Sequence, residues 1–390
     1  MDTFINSDTR FVQPNRLARV GPRADAAQRT ARTLRQSFNA RPLLLTTPGS
    51  VNWRSGGLSD PVDVTASSDP VWTLDCDAGY ALITNVIESP RIEHDFNVRE
   101  LGWDVLSVPW FDAAAPLEAA CSYANVQPVE LLSDTDTLGE NVRDQLVAAR
   151  LALSEPERDE LRELGSLVGE ALGAGIDAWR PGVSTDFDTA AAISDVLESR
   201  GAKAVCLIVG GDERLRLFRH PLPIGTVISD AIMAVVVARR AGLHVAATRI
   251  CVRHADDEIV TLMKVLGSVN DAVLEASRPG GMWGESLIAL SAAYDAVGQP
   301  DAWREHFQGG PIGFEQREFE LAPTQEDSPF WRLARVANTA VAWNPSLRGG
   351  AKIEETYLVG EELELLTATP AWPLVEGPTG AARSALKILE

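Results

Sequence analysis

Val227–Val252 reads VISDAIMAVVVARRAGLHVAATRICV, two apolar strands joined by a tight connection around Arg239-Arg240-Ala241-Gly242. A further strand, Ala204-Val205-Cys206-Leu207-Ile208-Val209, precedes it. Two helices stand upstream. Ser154-Glu155-Pro156-Glu157 has the form of a helix start, with Ser as N-cap, Pro in the first turn and acids at the positive end of the dipole, and that helix is expected to run to about Gly175. The second is expected from Ser184-Thr185-Asp186 to Ser199. Downstream, helices are predicted over Asp257–Ser277 and Glu285–Val297. Strands return at Thr339–Trp343, Ile353–Val359 and Leu363–Leu366, the last two joined by Gly360-Glu361-Glu362.

Before residue 150 the pattern changes. Residues 1–20 are polar and irregular, as expected of a loose arm. An amphipathic helix is predicted over Asp25–Ser37, then strands over Pro42–Thr47, Ala81–Thr84 and Val105–Val108. The expected organisation is an arm (1–20), a smaller α/β domain (21–152) and a larger α+β domain (153–390).

The 390 residues carry 55 acidic and 35 basic side chains, a formal charge of -20. Such a surface repels phosphate backbones and anionic lipid, which argues against nucleic-acid and membrane partners. No segment approaches the roughly 20 apolar residues that span a bilayer. Met1–Asn6 has neither the basic start nor the apolar core of a signal peptide, and Cys76, Cys121, Cys206 and Cys251 follow no disulfide or ligand spacing. A cytoplasmic protein is expected. Cys206 and Cys251, within apolar stretches, read as buried small hydrophobes.

Three polar constellations interrupt the apolar background: Gly210-Gly211-Asp212 through Arg219-His220-Pro221, then His306 through Gly309-Gly310-Pro311-Ile312-Gly313 to Arg317-Glu318, then Trp343-Asn344-Pro345 followed by Lys352-Ile353-Glu354-Glu355-Thr356-Tyr357. Polar groups beside glycine bends or on strands made for burial need partners, or they form a site. In this order the segments resemble the methionine aminopeptidase, Xaa-Pro aminopeptidase, prolidase and creatinase superfamily. The resemblance covers nearly the whole chain and implies a C-terminal pita-bread domain with a smaller N-terminal α/β domain.

Metallopeptidases of that superfamily hold two divalent ions with two Asp, one His and two Glu. Aligned on Thr248-Arg249, the Asp positions fall on Ala246 and, eleven residues earlier, Val235, expected to face each other across a turn at Arg240-Ala241. The His position falls on Gly310 and one Glu position on Asn344; only Glu354 keeps its acid. One carboxylate and one amide are a poor set for two divalent ions, so no metal or other cofactor is expected.

The resemblance also implies working groups. His220 matches a His beside the substrate pocket and His306 one of the Xaa-Pro-cleaving branch; both are acid–base candidates, although a lone His is more often a satisfied structural group. Glu354 and Glu318 are candidate orienting acids. Arg317 and Arg249 either clamp a substrate carboxylate or pair with Glu318, Glu354 or Glu355, and Asn344 offers a neutral polar contact. Arg54 lies where creatinase-like proteins offer a residue to the partner subunit's pocket, implying a homodimer. Lys352 and Tyr357 are read as structural, on one polar strand face.

Two readings of function follow. One is a metal-independent creatinase-like enzyme acting on a C–N bond of a small guanidino, amino-acid or peptide-like substrate, such as a tailoring step in specialised metabolism. The other is an inactive pseudo-peptidase that binds a peptide or protein.

Overall fold

A computed structural model of the protein describes residues 16–58, 70–255, 257–378 and 380–389. The chain divides into two compact units, Met1–Val142 and Arg143–Glu390. The first fifteen residues of the expected arm lie outside the described residues. Its last five do not form an arm, because the first helix already begins at Arg16 and runs to Ser37.

In the N-terminal unit one mixed sheet places Trp103–Val108, Gly79–Asn85, Val71–Cys76, Leu43–Leu45, Leu132–Ser133 and Glu140–Asn141 side by side in that order. The predicted strands appear as Leu43–Leu45, Gly79–Asn85 and Trp103–Val108, with Val71–Cys76 paired antiparallel to the first two of them. Leu44, Leu74, Ala81 and Ile83 are buried in this unit's core.

The C-terminal unit is organised on the hairpin Ala231–Arg240 and Leu243–Val252. Ala241 and Gly242 both have positive φ, 48° and 79°, the requirement of a two-residue type I′ turn. This turn lies one residue later than the sequence reading placed it, which changes the register. Val235 pairs with Thr248 and Ala246 with Val237, so Val235 and Ala246 are diagonal neighbours on one face and not opposite each other. Lys203–Gly211 pairs on the other side of Ala231–Arg240, and Lys387–Ile388 completes a four-stranded sheet.

The helices Glu155–Ala178 and Asp186–Ser199 pack on this sheet. Their starts are those read from sequence. Glu157 Oε2 accepts the Ser154 N–H at 2.7 Å, and Asp188 Oδ2 accepts both the N–H and the hydroxyl of Thr185. The longer helix also carries Gly165 and Gly169, four residues apart on one face. A Cβ at Gly169 would sit 2.2 Å from Ala368 O, and one at Gly165 2.5 Å from Leu366 O. The absent side chains let the segment Leu366–Thr369 lie directly on the helix.

A second antiparallel sheet joins Gly309–Ile312, Thr339–Trp343, Glu355–Val359 and Leu363–Leu365 in that order. It packs with the helices Glu258–Glu275 and Trp283–Ala296 around Trp283, Trp343, Tyr294 and Tyr357. The strand read from Ile353 starts two residues later, at Glu355, and the preceding Ala351–Lys352 pairs with Ser346–Leu347.

The two sheets meet where Thr248 N donates to Glu354 O at 2.9 Å. Strand alternation sorts the side chains at this seam. Thr248 and Glu354 point to one side, where the hydroxyl donates to Glu354 Oε2 at 3.0 Å. Arg249 and Glu355 point to the other and form a buried ion pair at 3.0 Å. Arg249 also donates to Thr369 Oγ1, Thr248 O and Thr367 O, while Glu355 accepts from Thr367 Oγ1 and Ser384 N. The glycine face of the helix is what brings Thr367 and Thr369 to this pair.

Replacing Arg249 by Met strands Glu355 in the interior and is expected to cost about 3–5 kcal/mol. Gly169→Ala must push the Leu366–Thr369 backbone away and is expected to cost about 1–3 kcal/mol, against a near-neutral Ser166→Ala on the exposed side of the same helix. Urea denaturation of the variants measures both.

Candidate active site

On the Thr248–Glu354 side of the seam the C-terminal unit contains a pocket of about 460 Å³. Its floor is hydrocarbon: Ile208 and Val235 are cross-strand partners, as are Cys206 and Val237, so all four side chains line one face. His220, Phe307, Arg317, Asn344, Lys352 and Glu354 supply the rest of the wall that bears on its chemistry.

Glu354 is the buried carboxylate of the pocket, 2% exposed, while Glu320 lines it from an exposed position. Oε1 accepts from Arg317 Nη2 at 3.0 Å; Oε2 accepts from Thr248 and lies 3.9 Å from Lys352 Nζ. Lys352 projects beside Glu354 because the two are separated by two residues of extended backbone. Burial lowers the Lys352 pKa, opposed by Glu354 and reinforced by Arg317. Burial raises that of the Cys206 thiol, which keeps it protonated.

His220 and His306 form a pair with Nε2–Nε2 2.9 Å apart and rings in an edge-to-face arrangement. The hydrogen bonds assign the tautomers. His306 Nδ1 lies against Phe307 O, so Nδ1 carries the hydrogen and Nε2 is the acceptor. His220 must then donate from Nε2, leaving its Nδ1 with a free lone pair and no hydrogen bond to any described residue. Burial lowers both pKa values, that of His306 to about 3, and the Lys352 charge adds to the shift in each. The pairing requires one neutral acceptor ring, and His306, lowered to about 3, supplies it.

Two polar atoms here are buried without a hydrogen-bond partner among the described residues, Asn344 Oδ1 and Arg317 Nε. In a folded interior such groups are uncommon and mark either strain or the place of an absent ligand.

Of the eight residues singled out from sequence, His220, Glu354, Arg317 and Asn344 meet in the pocket, and His306 supports His220 from behind. Three do not line it. Glu318 is buried against Arg150 at 2.6 Å and accepts the Phe314 N–H. Arg249 is turned by strand alternation to the opposite side of the seam. Arg54, in the N-terminal unit, is 1% exposed, bound at both ends of Asp75 at 2.6 Å and covered by the Trp103 and Tyr80 rings. All three serve as internal ion pairs.

Lys352 and Cys206 were read as structural and instead line the pocket. The signal that marks Lys352 is its two-residue spacing from Glu354. Tyr357, five residues on, faces the core and donates to Ala382 O at 2.9 Å, so it shares no face with Lys352.

The residues at the superfamily's ligand positions do not fit a pair of divalent ions. Val235, Ala246 and Gly310 offer no donor atom, Asn344 is neutral, and Glu354 already faces two cationic side chains. Among the described residues no three His, Cys, Asp or Glu side chains cluster as a metal site.

The neutral histidines make stability depend on pH. His244, fully buried with Nδ1 3.1 Å from Gly313 O, is likewise pushed down to about 4 by burial. A histidine with a depressed folded-state pKa leaves stability intact above its ordinary value of 6.5. It subtracts from stability as the pH falls toward the folded value, because the unfolded chain binds the proton first. The melting temperature should therefore drop from pH 6.5 toward 4, and His244→Asn should flatten that drop in a pH series.

No protein-family model matches the chain, and no curated protein matches it. Solved structures do. Dipeptidase PepE from Mycobacterium ulcerans superposes with a TM-score of 0.73 at 16% identity, covering 95% of this chain and 98% of that one. An Xaa-Pro dipeptidase from Bacillus anthracis gives 0.68 at 17% identity, covering 94% and 100%. The N-terminal domain of a FACT complex subunit from chickpea (Cicer arietinum) gives 0.63 at 13% identity, covering 90% and 96%. Together with the two antiparallel-rich sheets and their flanking helices, these superpositions place the chain in one architecture. It has the pita-bread fold of the prolidases and Xaa-Pro dipeptidases.

Proposed function

We propose that the protein is a metal-independent enzyme acting on a C–N bond of a small amino-acid, peptide-like or guanidino substrate, with His220 as the group that moves the proton. The observation that carries this reading is the His220–His306 pair. His306, held by Phe307 O, fixes His220 in the tautomer whose Nδ1 is a free base, and depressed pKa values keep that base unprotonated at neutral pH.

Asn344 Oδ1, buried without a donor, suits an N–H on the nitrogen of the scissile bond, and Arg317 Nε suits a carbonyl or carboxylate oxygen. Glu354 positions Arg317 by their ion pair. Both of its oxygens are engaged, which favours an amino-acid or peptide-like substrate over a guanidinium cation that would need the same carboxylate. His220 would take a proton from water or substrate and return it to the leaving nitrogen, with the apolar floor excluding bulk water. The working form we propose is a homodimer.

A second reading is a binding scaffold without catalysis. The hydrocarbon and glycine at three ligand positions favour it, as does the occurrence of the same fold in a protein described as a subunit of a complex.

In a screen of amino-acid amides, dipeptides and guanidino acids, His220→Ala is expected to lower kcat about 10²–10⁴-fold. His306→Ala should shift the acidic limb of the pH profile, since it frees the His220 tautomer. Turnover that disappears on chelation and returns with Mn²⁺, Zn²⁺ or Co²⁺ would overturn the metal-independent reading. Tight peptide binding by wild type, with no turnover of any member of the screen, would favour the scaffold.

A further inference from the structure

The pocket of the C-terminal unit offers a ligand two kinds of surface. Its floor of Cys206, Ile208, Val235 and Val237 is a hydrocarbon patch on one sheet face. Leu222 and Phe307 carry that patch to the mouth, where they are 57% and 46% exposed. Large apolar side chains left in water beside an apolar floor are a surface that a hydrophobic group of the ligand would cover. The polar demands are few and specific. Asn344, 1% exposed, keeps Oδ1 without a donor, and the buried Nε–H of Arg317 has no acceptor among the described residues. The site asks for one N–H and one acceptor oxygen. It does not ask for a cation. A free α-ammonium entering this space needs an acid, and Glu354, the buried one, has Oε1 held by Arg317 and Oε2 by Thr248, with Lys352 beside it. Glu320 lines the pocket from an exposed position, where an ion pair is worth little. An amide nitrogen supplies the same N–H without the charge.

We propose that the pocket takes an N-acylated hydrophobic amino acid, its nitrogen blocked as an amide, and discriminates against the same amino acid with a free amino group. The proposal rests on the reading of this pocket as the site of an amino-acid or peptide-like compound, and names its class. The amide N–H donates to Asn344 Oδ1, a carbonyl or carboxylate oxygen accepts from Arg317 Nε, and the aliphatic or aromatic side chain lies on the floor of Ile208 and Val235. Each methylene taken out of water there tightens binding by about fourfold. Val235 has a double consequence. An acid at this position would put a carboxylate where the hydrocarbon of the ligand lies, so the residue that offers no metal a donor also supplies the apolar contact. Hydrolysis of the amide divides water across the C–N bond, OH to the acyl carbon and H to the nitrogen. The products are a carboxylic acid and an amino acid whose freed amine takes up a proton, and the resulting ammonium finds no available acid in the pocket, which favours its release.

The test is calorimetric titration of the full chain at neutral pH with N-acetyl-leucine, leucine, N-acetylglycine and 4-methylpentanoate, followed by chromatography of each mixture to detect cleavage. N-acetyl-leucine is expected to bind at least about tenfold more tightly than leucine, whose ammonium lacks an acid, and at least about tenfold more tightly than N-acetylglycine, which lacks the side chain. The same margin is expected over 4-methylpentanoate, an anion with the leucine skeleton but no N–H for Asn344. Val235→Thr, of similar volume with a hydroxyl on the floor, should reduce the preference for N-acetyl-leucine over N-acetylglycine by about tenfold. Leucine or 4-methylpentanoate binding as tightly as N-acetyl-leucine overturns the proposal, as does no binding of N-acetyl-leucine up to its solubility. Binding of N-acetyl-leucine without cleavage supports this ligand class and counts against the catalytic reading. Cleavage of free dipeptides by a chain that ignores N-acetyl-leucine does the reverse.

Discussion

The backbone hydrogen bond from Thr248 N to Glu354 O joins the two sheets of the C-terminal unit, and the chemistry of that unit follows from the alternation of side chains on either side of it. Thr248 and Arg249 are adjacent, as are Glu354 and Glu355, so each strand sends one polar group forward and one back. The backward pair is closed: Arg249 and Glu355 satisfy each other within a cage of threonines and backbone groups. The forward pair is open to the pocket, with Arg317 and Lys352 drawn in around Glu354. A one-residue slip at the seam would exchange the two environments and place an unsatisfied arginine in an apolar pocket.

Charge explains why the remaining groups can coexist. At the five superfamily ligand positions, three side chains are hydrocarbon or hydrogen, and one amide and one carboxylate remain. Beside the buried acid, Glu354, stand two protein cations, Arg317 and Lys352. Burial, with the Lys352 charge, lowers the His220 and His306 pKa values, and burial, reinforced by Arg317, lowers that of Lys352. Restoring one acid at Val235 or Ala246 would therefore disturb the histidine pair as well as the floor.

Much of the fold was legible because helices and strands announce themselves locally. The cap at Ser154 marked one helix start to the residue and Thr185 lies within the start read for the second, whereas the first helix begins at Arg16 and not at Asp25. The hairpin was visible as two apolar runs, but its register was not. The turn sits at Ala241-Gly242, and a centre one residue away changes every cross-strand partner. Of the candidate site, His220, Glu354, Arg317 and Asn344 were readable because they stand at matched positions in recognisable segments. Glu318, Arg249 and Arg54 were equally conspicuous as charges, yet each is spent on a buried partner far away in sequence, such as Arg150, 168 residues from Glu318.

Sequence by itself determined the apolar hairpin, the helix start at Ser154 and the residues Val235, Ala246, Gly310 and Asn344 at the matched positions, since these are properties of single residues and their neighbours. Only tertiary structure decided which charges cancel and which remain available. That Arg317 and Lys352 gather at Glu354, that His306 sets the tautomer of His220, and that Arg249 belongs to the back of the seam depend on distances between segments brought together by sheet pairing. Coulomb and hydrogen-bond energies fall off over a few ångströms in space, and separation along the chain carries no record of them.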